Sequence, residues 1–253
     1  MDVLTAVAPV FGTNCYVVVA DDDVSCVVVD VGAGVAERVR GVVAERGLRP
    51  VAILATHGHV DHTWGAAEVS EAFGVPLFVH ADDAYRLADP FVTLGLGDPT
   101  GGPLAQALTA YGLPPDRYRA PALIETFDST TAELDLGGLR FAGGTLGVVH
   151  APGHTKGASL FLLDGAPGTG SVLPFAPEEA SLAADATRTA LTGDVLFAGT
   201  IGRTDLPGGD EAAMAATLRN LAAILAPGTI LLPGHGPASR MDLELRRNRY
   251  LAG

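Results

Sequence analysis

Short apolar runs alternate with polar turns along the first part of the chain. Runs at residues 3–8, 16–20, 25–31 and 51–55 are rich in Val, Ile and Ala and predict strands. The third run ends in a Gly-rich turn, after which the pattern predicts a helix over 35–46. The chain therefore begins with strands joined by tight turns, followed by a helix that leads into the next strand.

Later segments extend this alternation. A helix is predicted over residues 64–73 and a strand over 76–79. Residues 210–225 place apolar side chains at helical spacing and carry two acidic residues in the first turn, where the helix dipole favours negative charge. Residues 242–251 are predicted to form a closing helix. The last part of the chain is therefore largely helical.

Composition limits the class of protein. The chain has 253 residues, a mass of 25.8 kDa and a formal net charge of -13, which disfavours a surface that follows nucleic-acid phosphates. The N-terminus lacks the basic and apolar regions of a signal peptide, and no window approaches the length of a membrane span. We expect a cytoplasmic protein without nucleic-acid or membrane partners. Cys15 and Cys26 are interpreted as small buried hydrophobes, with a disulfide across a hairpin as the alternative.

A turn directly after the run at 51–55 concentrates side chains that bind metals. His57, His59, Asp61 and His62 lie within six positions. Neutral imidazole and carboxylate are ligands that zinc, iron and manganese accept. Because a strand that ends in such a turn aims its side chains at one point, we interpret it as a metal site rather than a polar turn rich in histidine.

Three further candidates lie in the second half of the chain. His154 and His235 each follow a Pro-Gly pair that ends an apolar run, so the two turns are built alike. Asp194 follows a glycine inside another apolar run, and a buried carboxylate needs a partner. All seven candidates occupy strand ends, and seven ligands are enough for two metal ions that share one carboxylate. Because they span positions 57 to 235, we predict a single domain over residues 1–253.

Two Gly- and Pro-rich segments interrupt the strands and helices. Residues 89–121 and 164–189 are predicted to form loop excursions, with short helices at 104–111 and 178–184. Loops of this length in a compact domain are usually functional or mobile. The first segment lies between the histidine-rich turn and His154 in sequence, and we therefore consider it a candidate lid over the metal site.

The order of these motifs resembles that of the metallo-β-lactamase-fold hydrolases. His-x-His-x-Asp-His is followed by Pro-Gly-His-Thr, Thr-Gly-Asp and Pro-Gly-His-Gly, and the likeness runs from the first strand to the last helix. Residues 199–209, Gly-Thr-Ile-Gly-Arg-Thr-Asp-Leu-Pro-Gly-Gly, resemble the short bacterial glyoxalase II-like (hydroxyacylglutathione hydrolase) branch and the neighbouring persulfide dioxygenases. The resemblance implies an α/β fold, a four-layer αβ/βα sandwich with the metals at one edge.

The resemblance also implies a role for each candidate ligand. It assigns His57, His59 and His154 to a first ion, Asp61, His62 and His235 to a second, and Asp194 to both. Two divalent ions are expected, zinc by preference, with iron or manganese as alternatives. The implied activity is hydrolysis of a small thiol ester by a hydroxide held between the ions, with Asp61 also orienting the attacking water.

Three residues outside this set keep two interpretations each. Arg203 is the candidate substrate-binding residue, as an anion-binding group, or else pairs with Asp205. Asp30 would brace the site or only stabilise its own turn. His80 is expected at the surface or behind the ligands rather than among them.

Other functions remain as alternatives. A persulfide dioxygenase of the same fold would use one iron held by His57, His154 and Asp194. A β-lactamase is disfavoured because many of these enzymes place a cysteine where Asp194 stands, and an RNA-processing relative is disfavoured by the acidic charge. A metal-stabilised binding module without activity is the third alternative. Classical glyoxalase II enzymes carry an extra helical domain that holds glutathione, which this chain is expected to lack, so thiol-binding contacts are not carried over.

Overall fold

The computed structural model describes residues 1–95, 102–176, 182–183 and 185–251. The described strands form two six-stranded sheets and a two-stranded ribbon. The first sheet contains, in spatial order, β1 (Val3–Val7), β2 (Asn14–Val19), β3 (Ser25–Val29), β4 (Arg49–Leu54), β5 (Leu77–His80) and β6 (Ile124–Phe127).

The remaining strands form the second sheet and the ribbon. In chain order they are β7 (Glu133–Leu134), β8 (Leu146–His150), β9 (Ser159–Leu163), β10 (Arg188–Gly193), β11 (Leu196–Phe197), β12 (Thr200–Ile201), β13 (Thr229–Pro233) and β14 (Ser239–Arg240). The second sheet runs β14-β13-β10-β9-β8-β7, and β11 pairs with β12 as the ribbon.

Seven α-helices connect or cover the described strands. They are α1 (Ala36–Arg46), α2 (Val60–Thr63), α3 (Ala66–Phe73), α4 (Ala81–Ala84), α5 (Pro103–Ala110), α6 (Glu211–Ile224) and α7 (Met241–Arg247). Single 3₁₀ turns occupy Tyr85–Leu87, Val92–Leu94 and Pro115–Arg117. None of the described helices is both long and apolar enough to cross a membrane.

The continuous apolar runs form the strands that are covered on both faces. Every residue of β2 and β3 is buried, and β3 to β6 run parallel to one another. Parallel strands are connected by crossovers that lay helices on the sheet, so both faces become buried and the sequence reads as unbroken apolar runs rather than as an alternation.

The layers follow from three apolar clusters. One lies between the sheets and combines Val27 and Leu54 with Phe161 and Leu232. A second packs α1 and α3 on the outer face of the first sheet, and a third packs α6 and α7 on the outer face of the second. Helix, sheet, sheet and helix are therefore stacked in that order, which confirms the four-layer αβ/βα sandwich.

Several predictions about local elements change in detail. The short helix predicted at 104–111 is α5, whereas the closing helix ends at Arg247 rather than at 251. It ends there because Asn248 adopts an extended conformation, with its side-chain amide donating to the carbonyl of Thr200 (3.1 Å) and to Glu244 (2.9 Å). The helix predicted at 178–184 lies outside the described residues, except for positions 182 and 183.

The two cysteines are free and buried. Cys26 lies opposite Val19 in the β2–β3 pair, so Cys15 is not its neighbour across the hairpin. Burial raises the pKa of Cys26 to about 12 and the pKa of Cys15 still further, which keeps both as thiols at neutral pH. The interpretation of these residues as small core hydrophobes is confirmed.

Candidate metal centre

The histidine-rich turn lies at the end of β4. His57 and His59 are in the turn itself, and the single-turn helix α2 then presents Asp61 and His62. The imidazoles of the turn are almost fully buried, at 1%, 4% and 1% exposure for His57, His59 and His62. The carboxylate of Asp61 is 24% exposed. The three imidazoles therefore face the protein interior, whereas the carboxylate of Asp61 is partly open to solvent.

The other three candidates come from the second sheet. His154 lies in the loop between β8 and β9, Asp194 follows β10, and His235 follows β13. The parallel pair β10–β13 places Gly193 beside Pro233, so Asp194 and His235 emerge from the same edge of the sheet. The fold thus brings all seven candidate donors together at one edge of the sandwich.

The first cluster consists of His57, His59 and His154. His59 Nδ1 lies 3.1 Å from His57 Nε2 and 2.9 Å from His154 Nε2. A tetrahedral ion with metal–nitrogen bonds of 2.0–2.1 Å holds its nitrogens about 3.3 Å apart, so the three nitrogens are spaced as ligands would be.

The second cluster consists of Asp61, His62 and His235. His235 Nε2 lies 3.2 Å from His62 Nε2 and 3.2 Å from Asp61 Oδ2. Asp194 lies between the clusters, with Oδ1 3.3 Å from His62 Nε2 and Oδ2 3.7 Å from His154 Nε2. Its carboxylate is the only described one that reaches nitrogens of both clusters.

Hydrogen bonds on the far side of four imidazoles fix their orientation. His62 Nδ1 donates to Asp30 (3.0 Å), and His57 Nδ1 donates to the hydroxyl of Thr56 (3.1 Å), which itself donates to Asp30. His154 Nδ1 and His235 Nδ1 donate to backbone carbonyls. Each bond places the ring proton on Nδ1 and leaves the Nε2 lone pair directed at the other donors.

Glycines allow this close approach. A Cβ at Gly234 would lie 2.5 Å from His62 Cε1 and would also collide with the carboxylate of Asp194. A Cβ at Gly202 would collide with the backbone carbonyl of Asp194. The glycines beside His235 and Arg203 are therefore required because backbone must pass within contact distance of the donors.

Electrostatics divide the donors into two kinds. Burial lowers the pKa of His57 well below its usual value and lowers that of His59 to about 3. Burial acts in the same direction on His62, but the carboxylates of Asp194, Asp61 and Asp30 outweigh it and raise the His62 pKa well above its usual value. The pKa of His235 is also raised, since Asp61 and Asp194 outweigh burial there.

The residues fit a metal centre. In the described part of the chain, Asp194 Oδ1 is buried without a hydrogen-bond partner, although such atoms are normally satisfied. His59 Nδ1 lies within hydrogen-bond distance of both His57 Nε2 and His154 Nε2, but one proton can bridge only one of these two pairs. A cation can be bound by all three imidazoles at once. Five imidazoles and two carboxylates form a donor set suited to zinc, iron or manganese. The assignment of each donor to an ion remains a prediction.

A cavity of about 250 Å³ adjoins the donors. Its walls are largely apolar and come from Phe11, Val60, Leu94, Leu104 and Leu206. Leu94 and Leu104 belong to the Gly- and Pro-rich segment 89–121, so the described part of that segment lines the site. A larger cavity of about 820 Å³ beside α6 contains none of the seven candidates, and we therefore place the chemistry at the smaller one.

Arg203 borders the small cavity, but its guanidinium is engaged elsewhere. It donates to Asp205 through Nε (2.7 Å) and a terminal nitrogen (2.8 Å), and its side chain is 59% exposed. The structure thus contains the Arg203–Asp205 pair that was the alternative to anion binding. Its backbone carbonyl meanwhile accepts from His154.

Residues behind the donors were identified incompletely from the sequence. Asp30, expected either to brace the site or to stabilise its turn, hydrogen-bonds to His62 and Thr56 and so contacts the site. His80 is buried rather than at the surface, and its ring stacks on His150 at 4.2 Å. The ion pair of Asp83 and Arg86, beneath the ligand loops, was not anticipated.

A family model described as the metallo-beta-lactamase superfamily matches residues 8–167. This chain belongs to the metallo-β-lactamase superfamily, and the class that the fold, the donors and the relatives define is that of metal-dependent hydrolases.

Individual relatives cover almost the whole chain. An uncharacterized protein of Mycobacterium tuberculosis is 32% identical over 97% of this chain and 96% of its own length. The hydroxyacylglutathione hydrolase GloC of Haemophilus influenzae is 29% identical over 95% of this chain and 93% of its own length.

Solved structures agree on the fold. The BLEG-1 B3 metallo-beta-lactamase superimposes with a TM-score of 0.69 at 26% identity, covering 99% of this chain and all of its own. TTHA1623, crystallised in a di-iron-bound form, superimposes with a TM-score of 0.67 at 28% identity, covering 98% of this chain and all of its own. Relatives at 26% to 29% identity thus include one named as a metallo-beta-lactamase and one named as a hydroxyacylglutathione hydrolase.

Proposed function

We propose that this protein is a thioesterase of the glyoxalase II type, which hydrolyses S-(2-hydroxyacyl)glutathione or a related small thiol ester with two divalent metal ions. The observation that carries the proposal is the position of Asp194, whose two oxygens lie 3.3 Å from His62 and 3.7 Å from His154. A carboxylate placed between two clusters of donors suits a pair of ions that share one ligand. The likeness to GloC supports the choice of thiol ester.

When bound, the ions would lower the pKa of a water molecule toward neutrality and polarise the substrate carbonyl. His57, His59 and His154 would hold the first ion, and His62 and His235 would complete the second with Asp61. Asp61 also borders the cavity, where its carboxylate can accept a hydrogen bond from the attacking water and so orient it toward the carbonyl. No protein nucleophile is required.

The cavity suits a compact acyl group. Apolar side chains line it, and Arg203 stands at its border with a carboxylate partner already bound. A thiol leaves readily as its anion because its pKa is near 8.5, so the reaction requires no protein acid to protonate the leaving group. The rest of the substrate would extend past Arg203 into solvent. We place this enzyme in the cytoplasm, as a single domain.

The test combines elemental analysis with three substrates on one purified sample. We expect about two zinc, iron or manganese ions per chain, hydrolysis of S-lactoylglutathione, and loss of that activity on chelation. One iron with oxygen consumption on glutathione persulfide would replace the proposal with a persulfide dioxygenase. Hydrolysis of a cephalosporin without thiol ester hydrolysis would replace it with a β-lactamase. Bound metal without turnover of any of the three would favour a binding module.

A further inference from the structure

A buried ion pair lies beneath the loops that carry the first cluster. Asp83, in α4, and Arg86, in the 3₁₀ turn that follows, both have side chains with 0% exposure, and Arg86 Nε donates to Asp83 Oδ1 at 3.2 Å. Removing two charges from water is costly, and the cost is recovered only where further hydrogen bonds satisfy both groups. The partners of this pair therefore indicate what it holds in place.

The Asp83 carboxylate accepts three more hydrogen bonds, all from the two loops that supply the first cluster. Oδ2 accepts from the backbone N–H of Gly58 (2.9 Å) and the hydroxyl of Thr155 (2.6 Å), and Oδ1 accepts from the N–H of Gly157 (3.1 Å). Gly58 lies between His57 and His59, and Thr155 follows His154. One carboxylate thus joins the two loops on either side of the first cluster.

Packing reinforces these hydrogen bonds. A Cβ at Gly58 would lie 2.8 Å from the carbonyl oxygen of Asp83 and 2.9 Å from Arg86 Cβ, and a Cβ at Gly157 would lie 2.8 Å from Asp83 Cβ. Both loops therefore rest directly on the ion pair. The separation between the loops is set by the side chain on which they rest.

Arg86 extends the contact to the walls of the cavity. One terminal nitrogen donates to the carbonyl of Pro207 at 2.6 Å, and the other donates to the carbonyl of Thr93 at 3.4 Å. The neighbours of these residues, Leu206 and Leu94, line the cavity beside the donors. Arg86 thus holds two segments that line the same cavity.

We propose that Asp83 is a positioning residue that sets the geometry of the first cluster, and that Arg86 is a positioning residue for the cavity walls. The inference rests on the proposed function, since it requires a divalent ion at His57, His59 and His154 and a substrate in the cavity that Leu94 and Leu206 line. Within the described residues, the hydrogen bonds of Asp83 do not reach Asp61, His62 or His235, whereas Asp30 contacts His62 and, through Thr56, also supports His57.

The first test measures zinc affinity by competition with a chromophoric chelator, without any substrate. In a His235→Ala background, which weakens the second cluster, Asp83→Asn should reduce affinity about 10- to 100-fold, the range for residues that support metal ligands. Glu71→Gln changes an exposed carboxylate on α3 that pairs with Arg119, and zinc affinity should stay within about twofold of the background.

Leu221→Ala, on the buried face of α6, serves as the control for stability. It should lower the melting temperature while leaving zinc affinity unchanged. An Asp83→Asn protein that loses melting temperature in the same way but keeps its zinc affinity would overturn the role of Asp83. If Asp83→Asn does not fold, Thr155→Val removes one of its hydrogen bonds and should lower affinity about fivefold, and an unchanged affinity would overturn the role equally.

The second test uses Arg86→Lys, which keeps a positive charge beside Asp83 but lacks the planar fork that reaches Pro207 and Thr93. Hydrogen–deuterium exchange should rise in peptides that contain Leu94 and Leu206, with zinc affinity within about twofold of the wild type. Unchanged exchange in both peptides would overturn the role of Arg86. Both tests can succeed even if S-lactoylglutathione is not hydrolysed, so the proposed function can fail separately. If the proposed function holds, Arg86→Lys should raise the KM for S-lactoylglutathione and leave kcat unchanged.

Discussion

The two clusters of the candidate metal centre contain different kinds of donor side chain. The first contains three imidazoles, each no more than 4% exposed, and has no carboxylate of its own. The second contains a carboxylate and two imidazoles, and both Asp61 and His235 are about a quarter exposed, at 24% and 28%. Asp30 supports His62 of the second cluster and, through Thr56, His57 of the first, whereas Asp83 supports only the loops of the first.

This difference concerns charge as much as position. Burial lowers the pKa values of His57 and His59 and keeps both imidazoles neutral, so these two ligands need not lose a proton before they bind a metal ion. Carboxylates around His62 and His235 raise their pKa values, so the second cluster holds protons that a metal ion must displace. Two ions in one site would therefore meet different conditions for binding.

The largest expected effect comes from the residue that belongs to neither cluster. Asp194→Ala should remove the ligand common to both ions, so metal content and thiol ester hydrolysis should fall together, with kcat reduced about a thousandfold or more. Metal analysis and kinetics on the same sample provide the measurement. Full activity in this variant would show that the clusters work without a shared carboxylate.

A matched pair of variants separates the clusters. His154→Ala should weaken the first ion and His235→Ala the second, each by at least about 100-fold, because loss of a ligand costs more than loss of its supporting partner. Each variant should retain close to one ion per chain at saturating zinc. If either variant loses both ions, the clusters are not separable and the comparison does not hold.

Titration with zinc at several pH values provides the next test. Because the pKa values of His62 and His235 are raised, both stay protonated as pH rises through the usual imidazole range, and the second ion must displace those protons. Its affinity should rise with pH by about tenfold per unit for each proton displaced. In His235→Ala the remaining first ion should show a weaker pH dependence, since burial lowers the pKa values of two of its ligands, that of His57 well below its usual value and that of His59 to about 3. If zinc affinity depends on pH equally for the two ions, the proposed difference in charge between the two clusters is wrong.

The smallest effect is expected at the cavity border. Arg203→Ala breaks an exposed ion pair with Asp205, and exposed pairs contribute little. We expect KM to rise by less than about fivefold, with kcat and metal content unchanged. A much larger rise in KM would show that the guanidinium leaves Asp205 to bind the substrate, and Asp205→Asn would then be expected to lower KM.

Much of the candidate site was predictable because its residues lie where apolar runs end. His57 to His62 follow β4 directly, and the Pro-Gly pairs before His154 and His235 mark the ends of strands in the same way. Strand ends converge at one edge of a sandwich, so the convergence of the donors could be expected. The roles of the individual donors and the extent of the domain stay predictions.

The supporting residues were harder to find, for a physical reason. Asp83 and Arg86 lie in a polar stretch that reads as an exposed turn, and their burial arises only when loops distant in sequence, at Gly58, Gly157 and Pro207, fold over them. Whether His80 lay at the surface or behind the ligands could not be decided for the same reason, since its cover includes His150 from the other sheet. The local sequence pattern reflects the neighbours of a residue along the chain. The burial of these residues depends instead on contacts with segments that are distant in sequence.

The wide spacing of the donors has a consequence for how the protein matures. The first donor precedes the last by most of the chain, and they come from both sheets, so no early folding intermediate contains a complete set. Long-range contacts of this kind form late. We expect the polypeptide to reach its native topology before it binds a cation, so that newly made molecules bind metal only after synthesis has finished.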